Sequence, residues 1–313
     1  MELIENPEQS EDEIKRCIAK FGYTPEHNYA YFSTTAEQGA RNIFLKSPEG
    51  YGVLANFREK AGEVFMISEA LAPREKQVEV LHDALDICFA KLPMKKFVVE
   101  HDDNLRAETL KALSNNGYAA LKPRYSLYWP VFKMEQWDGN AMHGEDWKKL
   151  RNLKNRFYSE HSVEVVDSKT IDNGKLKAII TDWVQRRQLM AQGADRKDSN
   201  LAYYERYNYM VDFGFEGLKF AKTMVVDGEP CTITAGWEIP NRLGEYYSAI
   251  GLSNFAFEDL AEMANLDDLN RLKQSGYSMV DFGGSPMPLL KFKLKFRPHY
   301  VYVTHTYAIV KKS

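Results

Sequence analysis

A mixed α/β fold built as two tandem units is what this sequence predicts, on three observations. The chain has 313 residues, too many for one ordinary small domain and suited to two units of about 130 to 180 residues. Its 44% hydrophobic and 13% aromatic content is enough to bury two cores. The same order of strand and helix patterns also occurs twice along the chain.

In the first unit, Ser10 and Glu13 have capping-box spacing, and Ile14, Cys17, Ile18 and Phe21 recur at i, i+3, i+4 and i+7; together they predict a short helix. Strands follow at Arg41–Lys46, Tyr51–Phe57 and Glu63–Ser68, separated by turn-forming residues. A long helix is expected over Arg74–Leu92, with Val78, Leu81, Leu85, Cys88, Phe89 and Leu92 on one face. Then come a buried strand at Phe97–Glu100, a helix over Asp103–Asn115 stopped near Gly117, and an aromatic-rich closing strand at Arg124–Phe132.

The second unit repeats that order. Strand Val163–Val166 leads to helices Asp172–Met190 and Leu201–Phe213. Strands Lys219–Val226 and Cys231–Glu238 are joined by Asp227-Gly228, a strong two-residue hairpin signal. Strand Glu245–Leu252, helix Phe257–Gln274, strand Met279–Phe282, a helical stretch at Leu289–Phe296 and strand Tyr300–Val310 complete it. An antiparallel meander that crosses through a helix into a neighbouring strand makes a mixed sheet. The linker is Lys133–His143, which divides the chain into domains 1–135 and 136–313. This element order, found twice, resembles the acyl-CoA N-acyltransferase-like (GNAT) fold.

Composition excludes several classes. A net charge of −3 rules out a globally basic nucleic-acid binder. Cys17, Cys88 and Cys231 are far apart, with no C-x-x-C pair or Cys/His ligand spacing, so no structural metal is expected. His101 and His305 likewise lack a second ligand and read as structural. The stretch Met1–Glu13 is acidic with no apolar run, and no segment approaches the roughly 18 apolar residues of a membrane span. The expectation is a soluble, cytoplasmic protein. No Gly-x-Ser-x-Gly, phosphate loop or dinucleotide fingerprint is present.

Two segments carry chemistry. The first is the predicted helix at 144–160, opening the second domain. Glu145 and Asp146 stand in its first turn, and Lys148, Lys149, Arg151, Lys154 and Arg156 follow around an apolar stripe of Trp147, Leu150, Leu153 and Phe157. Such a helix is either simply solvated or faces phosphate, for which arginine forks and lysine point charges are suited. The second is Val280–Pro298: a strand ending in Asp281, a Gly283-Gly284 turn permitting close approach of a ligand or another chain segment, and a basic-aromatic stretch with Lys291, Lys293, Lys295 and Arg297. Its alternation suits a helix or a strand.

Trp147–Phe157 resembles the entry helix of the lysyl-phosphatidylglycerol synthase C-terminal-domain family, which is related to the Fem-type aminoacyltransferases. Phe292-Lys293-Leu294-Lys295-Phe296 is similar to the Phe-Lys-x-x-Phe-like element at that family's end. The resemblance implies tandem GNAT units and transfer of an aminoacyl group from aminoacyl-tRNA to an amine or hydroxyl acceptor. It assigns the family's functional lysine to Lys293 and places Arg151, Asn152 and Arg156 on a functional surface. The candidate catalytic residues are Lys293, for an oxyanion or an adjacent phosphate, and Asp281, to orient the amine or hold the lysine. The candidate phosphate-binding residues are Lys149, Arg151, Asn152, Arg156, Gly283, Gly284, Lys295 and Arg297. Tyr246 and Tyr247 point to opposite sheet faces and read as core.

No cofactor is expected. CoA-dependent members of the GNAT fold hold pyrophosphate on a glycine-rich loop at a helix start. The equivalent stretches here, Arg74–Glu79 and Gly251–Glu258, lack spaced glycines. An anionic donor such as aminoacyl-tRNA is therefore favoured over acyl-CoA. A CoA-dependent N-acyltransferase and a non-catalytic tandem module binding tRNA or another polyanion are the alternatives.

Overall fold

The computed structural model describes residues 1–36, 39–114, 116–190 and 195–312. In the first half, β1 (Glu2–Ile4), α1 (Glu11–Phe21) and α2 (Tyr29–Ser33) precede a meander of β2 (Ala40–Lys46), β3 (Gly52–Arg58) and β4 (Glu63–Met66). Helix α3 (Gln77–Lys91) leads to β5 (Lys96–Asp102), then come α4 (Asp103–Leu113), β6 (Tyr118–Ala120) and β7 (Tyr125–Lys133). The second half begins with α5 (Lys148–Glu160), β8 (Val163–Asp167), α6 (Asn173–Met190) and α7 (Asp195–Asp212). Its meander is β9 (Lys219–Val226), β10 (Glu229–Pro230), β11 (Thr232–Glu238) and β12 (Glu245–Ser253). Helix α8 (Leu260–Gln274), β13 (Met279–Asp281), α9 (Met287–Lys293) and β14 (Tyr300–Lys311) complete the chain.

Among the described residues all the strands belong to one mixed sheet, in the order β1-β2-β3-β4-β5-β14-β7-β13-β12-β11-β9-β10, with β6 pairing beside β14 and β8 beside β9 off this path. In each half a meander strand passes through a helix to a parallel neighbour: β4 beside β5, and β12 beside β13. The closing strands are exchanged. Strand β7, expected to close the first half, pairs antiparallel with β13 of the second. Strand β14 pairs antiparallel with β5 of the first half, and the two exchanged strands pair with each other from Tyr300↔Val131 to Thr306↔Tyr125.

Helices cover both sheet faces. Val80, Leu81, Leu85 and Cys88 of α3 pack on Ile43, Phe57, Phe97 and Tyr307, while Ile14 and Phe32 pack the opposite face against Phe44 and Leu54. In the second half α5 and α8 bury Trp147, Phe157, Leu266 and Leu269 with Phe132 and Phe296. Helices α6 and α7 place Ile179, Ile180 and Val211 on Ile233 and Ile250.

Several local expectations need correction. Ser10 makes no side-chain cap bond, because a 3-10 turn over Pro7–Ser10 delivers the chain into α1. Strands β1 and β6 and helix α2 are too short for periodicity to reveal. The helix expected from Phe257 starts at Leu260, after Asp259 takes a left-handed φ of 60°. Asn115, the expected end of the helix from Asp103, lies outside the described residues. Other expectations agree closely. Asp227 and Gly228 have φ of 52° and 87°, the two left-handed residues of a type I′ hairpin. The stretch at Leu289–Phe296 is helical, continuing from α9 into a 3-10 turn over Leu294–Phe296.

Because each half borrows its closing strand, the halves should unfold together. Far-UV circular dichroism senses the whole sheet. The five tryptophans all lie at or after Trp129, so their fluorescence reports β7 and the second half. Denaturant titrations followed by the two signals are expected to superimpose; separated midpoints would show that the halves unfold independently.

Candidate active site

The exchange of closing strands fixes what shares a surface. Cross-strand partners in an antiparallel pair lie on the same face. The register therefore groups Asp281 with Val131 and Tyr300, Tyr302 with Trp129, Thr304 with Asp102, and Thr306 with Glu100. This face of four contiguous strands floors a cavity of about 870 Å³. Its walls are the loop after α1 (Gly22 to Glu26), the loop after β4 (Ser68, Glu69) with Arg74 and Gln77, and the β11–β12 turn with Asn241 and Arg242.

The loop carrying Glu26 is held from both halves. His27 accepts the N–H groups of Tyr23 (3.0 Å) and Thr24 (3.3 Å) at Nδ1, and Nε2 lies 2.9 Å from the Glu69 carbonyl, to which it donates in the neutral tautomer. Burial lowers its pKa to about 4 and keeps it neutral. From the second half, Trp237 Nε1 donates to the Pro25 carbonyl (2.7 Å), and the Asn241 amide donates to those of Ala19 (3.1 Å) and Gly22 (2.8 Å).

The cavity is rich in carboxylates that resist ionisation. Asp281 is 5% exposed; burial raises its pKa to about 6, against the Gly283 N–H (2.7 Å) and the Tyr302 hydroxyl (2.8 Å), which both donate to the ionised form. Glu26 is pushed to about 8 by burial and then by the negative charge of Glu100, although Tyr31 donates to it at 3.2 Å. Burial also raises Glu100, which accepts from Thr304 and Thr306, and Glu69, which accepts from Tyr23. Trp129 Nε1 donates to Thr304 Oγ1 at 2.8 Å, so Trp129, Thr304 and Glu100 form one chain of hydrogen bonds. Groups titrating near neutrality can exchange protons with a bound substrate, which is what general acid–base chemistry needs.

Of the residues singled out in the sequence, Asp281 alone lines this cavity. Lys293 stands behind it: its ammonium donates to the carbonyls of Phe282 and Gly283 (3.2 Å to the latter). Burial lowers its pKa to about 8, opposed by Asp281. The glycines admit the protein's own aromatic rings. A Cβ on Gly283, whose φ is 77°, would meet Tyr247 Oη at 3.2 Å, and one on Gly284 would meet Trp129 at 2.8 Å. Tyr246 and Tyr247 are both buried in the core.

The two basic segments do adjoin, on another part of the second half. Arg297 donates to the Asp146 carbonyl at 2.6 Å, and Trp137 Nε1 donates to the Phe296 carbonyl at 2.8 Å. Most of their cations have internal partners: Arg151 with the carbonyls of Met142 and Gly144, Arg156 with Asp259 and Glu258, and Lys295 with Glu262. Lys149 and Asn152 face solvent.

Sequence patterns left Glu26, Glu69, Glu100, Tyr302 and Thr304 unmarked. Two signals were available: Glu100-His101-Asp102 closing an apolar strand, and the alternation of Tyr300, Tyr302, Thr304 and Thr306 along the final one.

No protein-family model matches the sequence, and no curated protein matches it significantly. Solved structures do match. A conserved protein of unknown function from Bacteroides thetaiotaomicron superposes with a TM-score of 0.68 at 13% identity, covering 98% of both chains. L-PGS from Bacillus licheniformis gives 0.64 at 14%, over 98% of this chain and 93% of that one. A tandem GNAT protein from the clavulanic acid biosynthesis pathway gives 0.55 at 11%, over 97% of both. At these identities the likeness is one of fold: a mixed α/β sheet of GNAT-like topology.

The carboxylates set the pH dependence of stability. A carboxyl with a raised pKa binds more protons folded than unfolded, so its contribution is full below the unfolded pKa and lost as pH rises to the folded one. His27 and His101, lowered to about 4 and 3 by burial, act in the opposite sense up to their unfolded value near 6.5. Between about pH 6.5 and 8 Glu26 prevails, so stability is expected to fall, by at most about 1.4 kcal/mol per pH unit for its proton. Denaturant unfolding of Glu26→Gln should show a flatter profile over that window; an unchanged slope would remove Glu26 as its source.

Proposed function

We propose that the chain is an acyltransferase made of two GNAT-type units, 1–135 and 136–313, with exchanged closing strands, and that the cavity they share is where transfer occurs. The observation that carries this reading is Asp281: a buried carboxylate with a pKa near 6, facing a ligand-sized cavity in a fold used by acyltransferases. L-PGS and FemX are among the structures whose fold it shares, which agrees with the family that Trp147–Phe157 and Phe292–Phe296 resemble.

The reaction we infer is aminolysis or alcoholysis of an aminoacyl ester. The acceptor's lone pair forms a bond to the ester carbonyl, and Asp281 takes the acceptor's proton. The tetrahedral intermediate then collapses with cleavage of the bond to the tRNA 3′-oxygen, which receives that proton. Tyr302 and the Gly283 N–H orient Asp281. Lys293 ties down the turn that presents the Gly283 N–H, which makes it a positioning residue.

Two features favour aminoacyl-tRNA over acyl-CoA as donor. Where a CoA pyrophosphate would meet the start of α8, the chain carries Glu258 and Asp259, paired with Arg156. Nearby, α5 carries Lys149, Arg151, Asn152 and Arg156, and the 3-10 turn that follows α9 brings Lys295 and Arg297 beside the start of α5. Exposed ion pairs are worth less than about 1 kcal/mol, so a phosphate can displace the exposed Asp146 from Arg297.

The test is transfer of labelled aminoacyl groups from a mixed charged-tRNA pool to amine and hydroxyl acceptors, with acyl-CoA donors in parallel. Asp281→Asn is expected to slow transfer by roughly 10²- to 10⁴-fold; full activity in that variant would remove Asp281 as the base. Lys293→Met takes away a positive charge that lowers the Asp281 pKa, so the acidic limb of its kcat profile should move to higher pH. A lower rate with an unmoved profile would make Lys293 purely structural.

A further inference from the structure

The cavity also carries information about what enters it. Its carboxyl groups are spread over several elements instead of converging: Glu100 and Asp281 stand on strands separated by β14 and β7, and a cation beside those that resist ionisation favours their charged forms. Glu69 lies within the field of Asp102, and Glu26 within the fields of both Glu100 and Asp281. Tyr300 and Glu245 line the cavity as well. The arginines on the rim offset these carboxyls only in part: Arg74 and Arg242 act to lower the Glu69 pKa and Arg242 that of Asp281, but burial outweighs them and both stay raised. Arg74 forks onto Glu108 at 2.9 and 3.0 Å, and Arg242 is paired with Glu245 at 3.3 Å.

A metal ion would need ligands gathered at one point, and among the described residues no three His, Cys, Asp or Glu side chains are grouped to hold one. An extended organic cation fits instead. Carboxylates spread along an 870 Å³ cavity can each meet a separate ammonium group, and a chain of methylenes between those groups needs apolar wall. Trp129 and Tyr302 supply that wall: their rings are stacked at 5.6 Å with 9° between planes, and ring faces also attract cations.

We propose that this cavity takes a linear polyamine-type ligand, carrying two or more ammonium groups separated by short methylene chains. The proposal rests on the cavity being the site of transfer, and it names the class of acceptor for that reaction. One ammonium group is held by Glu26 and Glu100, while the other end lies beside Asp281 as the free amine, its ammonium proton released to water. Its nitrogen bonds the acyl carbon, Asp281 takes the remaining excess N–H proton, and the tRNA 3′-oxygen receives that proton as the ester C–O bond breaks.

Isothermal titration calorimetry of the full chain with spermidine, 1,4-diaminobutane, butylamine and magnesium chloride tests it. Spermidine and the diamine are expected to bind at least tenfold more tightly than butylamine, with no magnesium binding at the same site. Glu100→Gln and Glu26→Gln should each weaken spermidine binding about tenfold. Glu205→Gln, beside a different cavity, should leave it unchanged. Thermal melts confirm that each variant is folded, and Glu26→Gln, on a loop, keeps the test open if Glu100→Gln does not fold.

Equal affinity for mono- and diamines, stronger binding of magnesium, or binding insensitive to both glutamate variants would overturn the proposal. Failure of this idea and failure of the transfer reading are separable. Tight polyamine binding without acylation from any donor upholds the ligand class and removes the transfer. Acyl transfer to a neutral hydroxyl acceptor with no polyamine binding does the reverse.

Discussion

The pairing of β14 with β5 on one side and β7 on the other is the constraint on which the rest of the molecule depends. Without it β5 ends the first half as an open edge, with unpaired N–H and C=O groups along its length. With it, the two halves share one sheet, and residues some 200 positions apart form hydrogen bonds: Thr306 donates to Glu100 at 3.2 Å with a separation of 206 residues. The same pairing decides chemistry. Glu100 comes from the first half and Asp281 from the second, yet only β14 and β7 lie between their strands. The cavity is a product of the exchange.

That arrangement explains which properties could be read from the sequence. Helix α1, the long helix α3, the Asp227-Gly228 hairpin and the meanders follow local rules, because i, i+3, i+4 spacing and turn chemistry act over a few residues. Placement of β7 and β14 does not. Each is an amphipathic strand that would serve equally as the last strand of its own half, and no local pattern distinguishes the two pairings. Misplacing them also hides the site: Glu100, Tyr302 and Asp281 are remote in sequence and become neighbours only once the exchange is known.

The basic segments show a different limit. Counting lysines and arginines identifies charge but not its partner. Arg156 and Arg297 are matched by Asp259 and Asp146, acids that stand at the starts of helices, where the macrodipole favours them. The glycines after Asp281 show the same ambiguity. Absence of a Cβ at Gly284 admits Trp129, so the close approach that Gly-Gly signals is between the turn after β13 and strand β7 of the same sheet. Asp281 is the exception because it does two jobs at once, closing the turn through the Gly283 N–H and facing the cavity beside Tyr302.

The borrowed strand also shapes how this chain acquires its structure. During synthesis β5 emerges about 200 residues before β14, and until then its free edge can pair with any available strand, including one from another nascent chain. Contacts that span such separations close large loops before they return any stabilisation, so folding is slow compared with a protein whose halves mature separately. The interval between making β5 and covering it is therefore when this molecule is most exposed to aggregation and most dependent on chaperones.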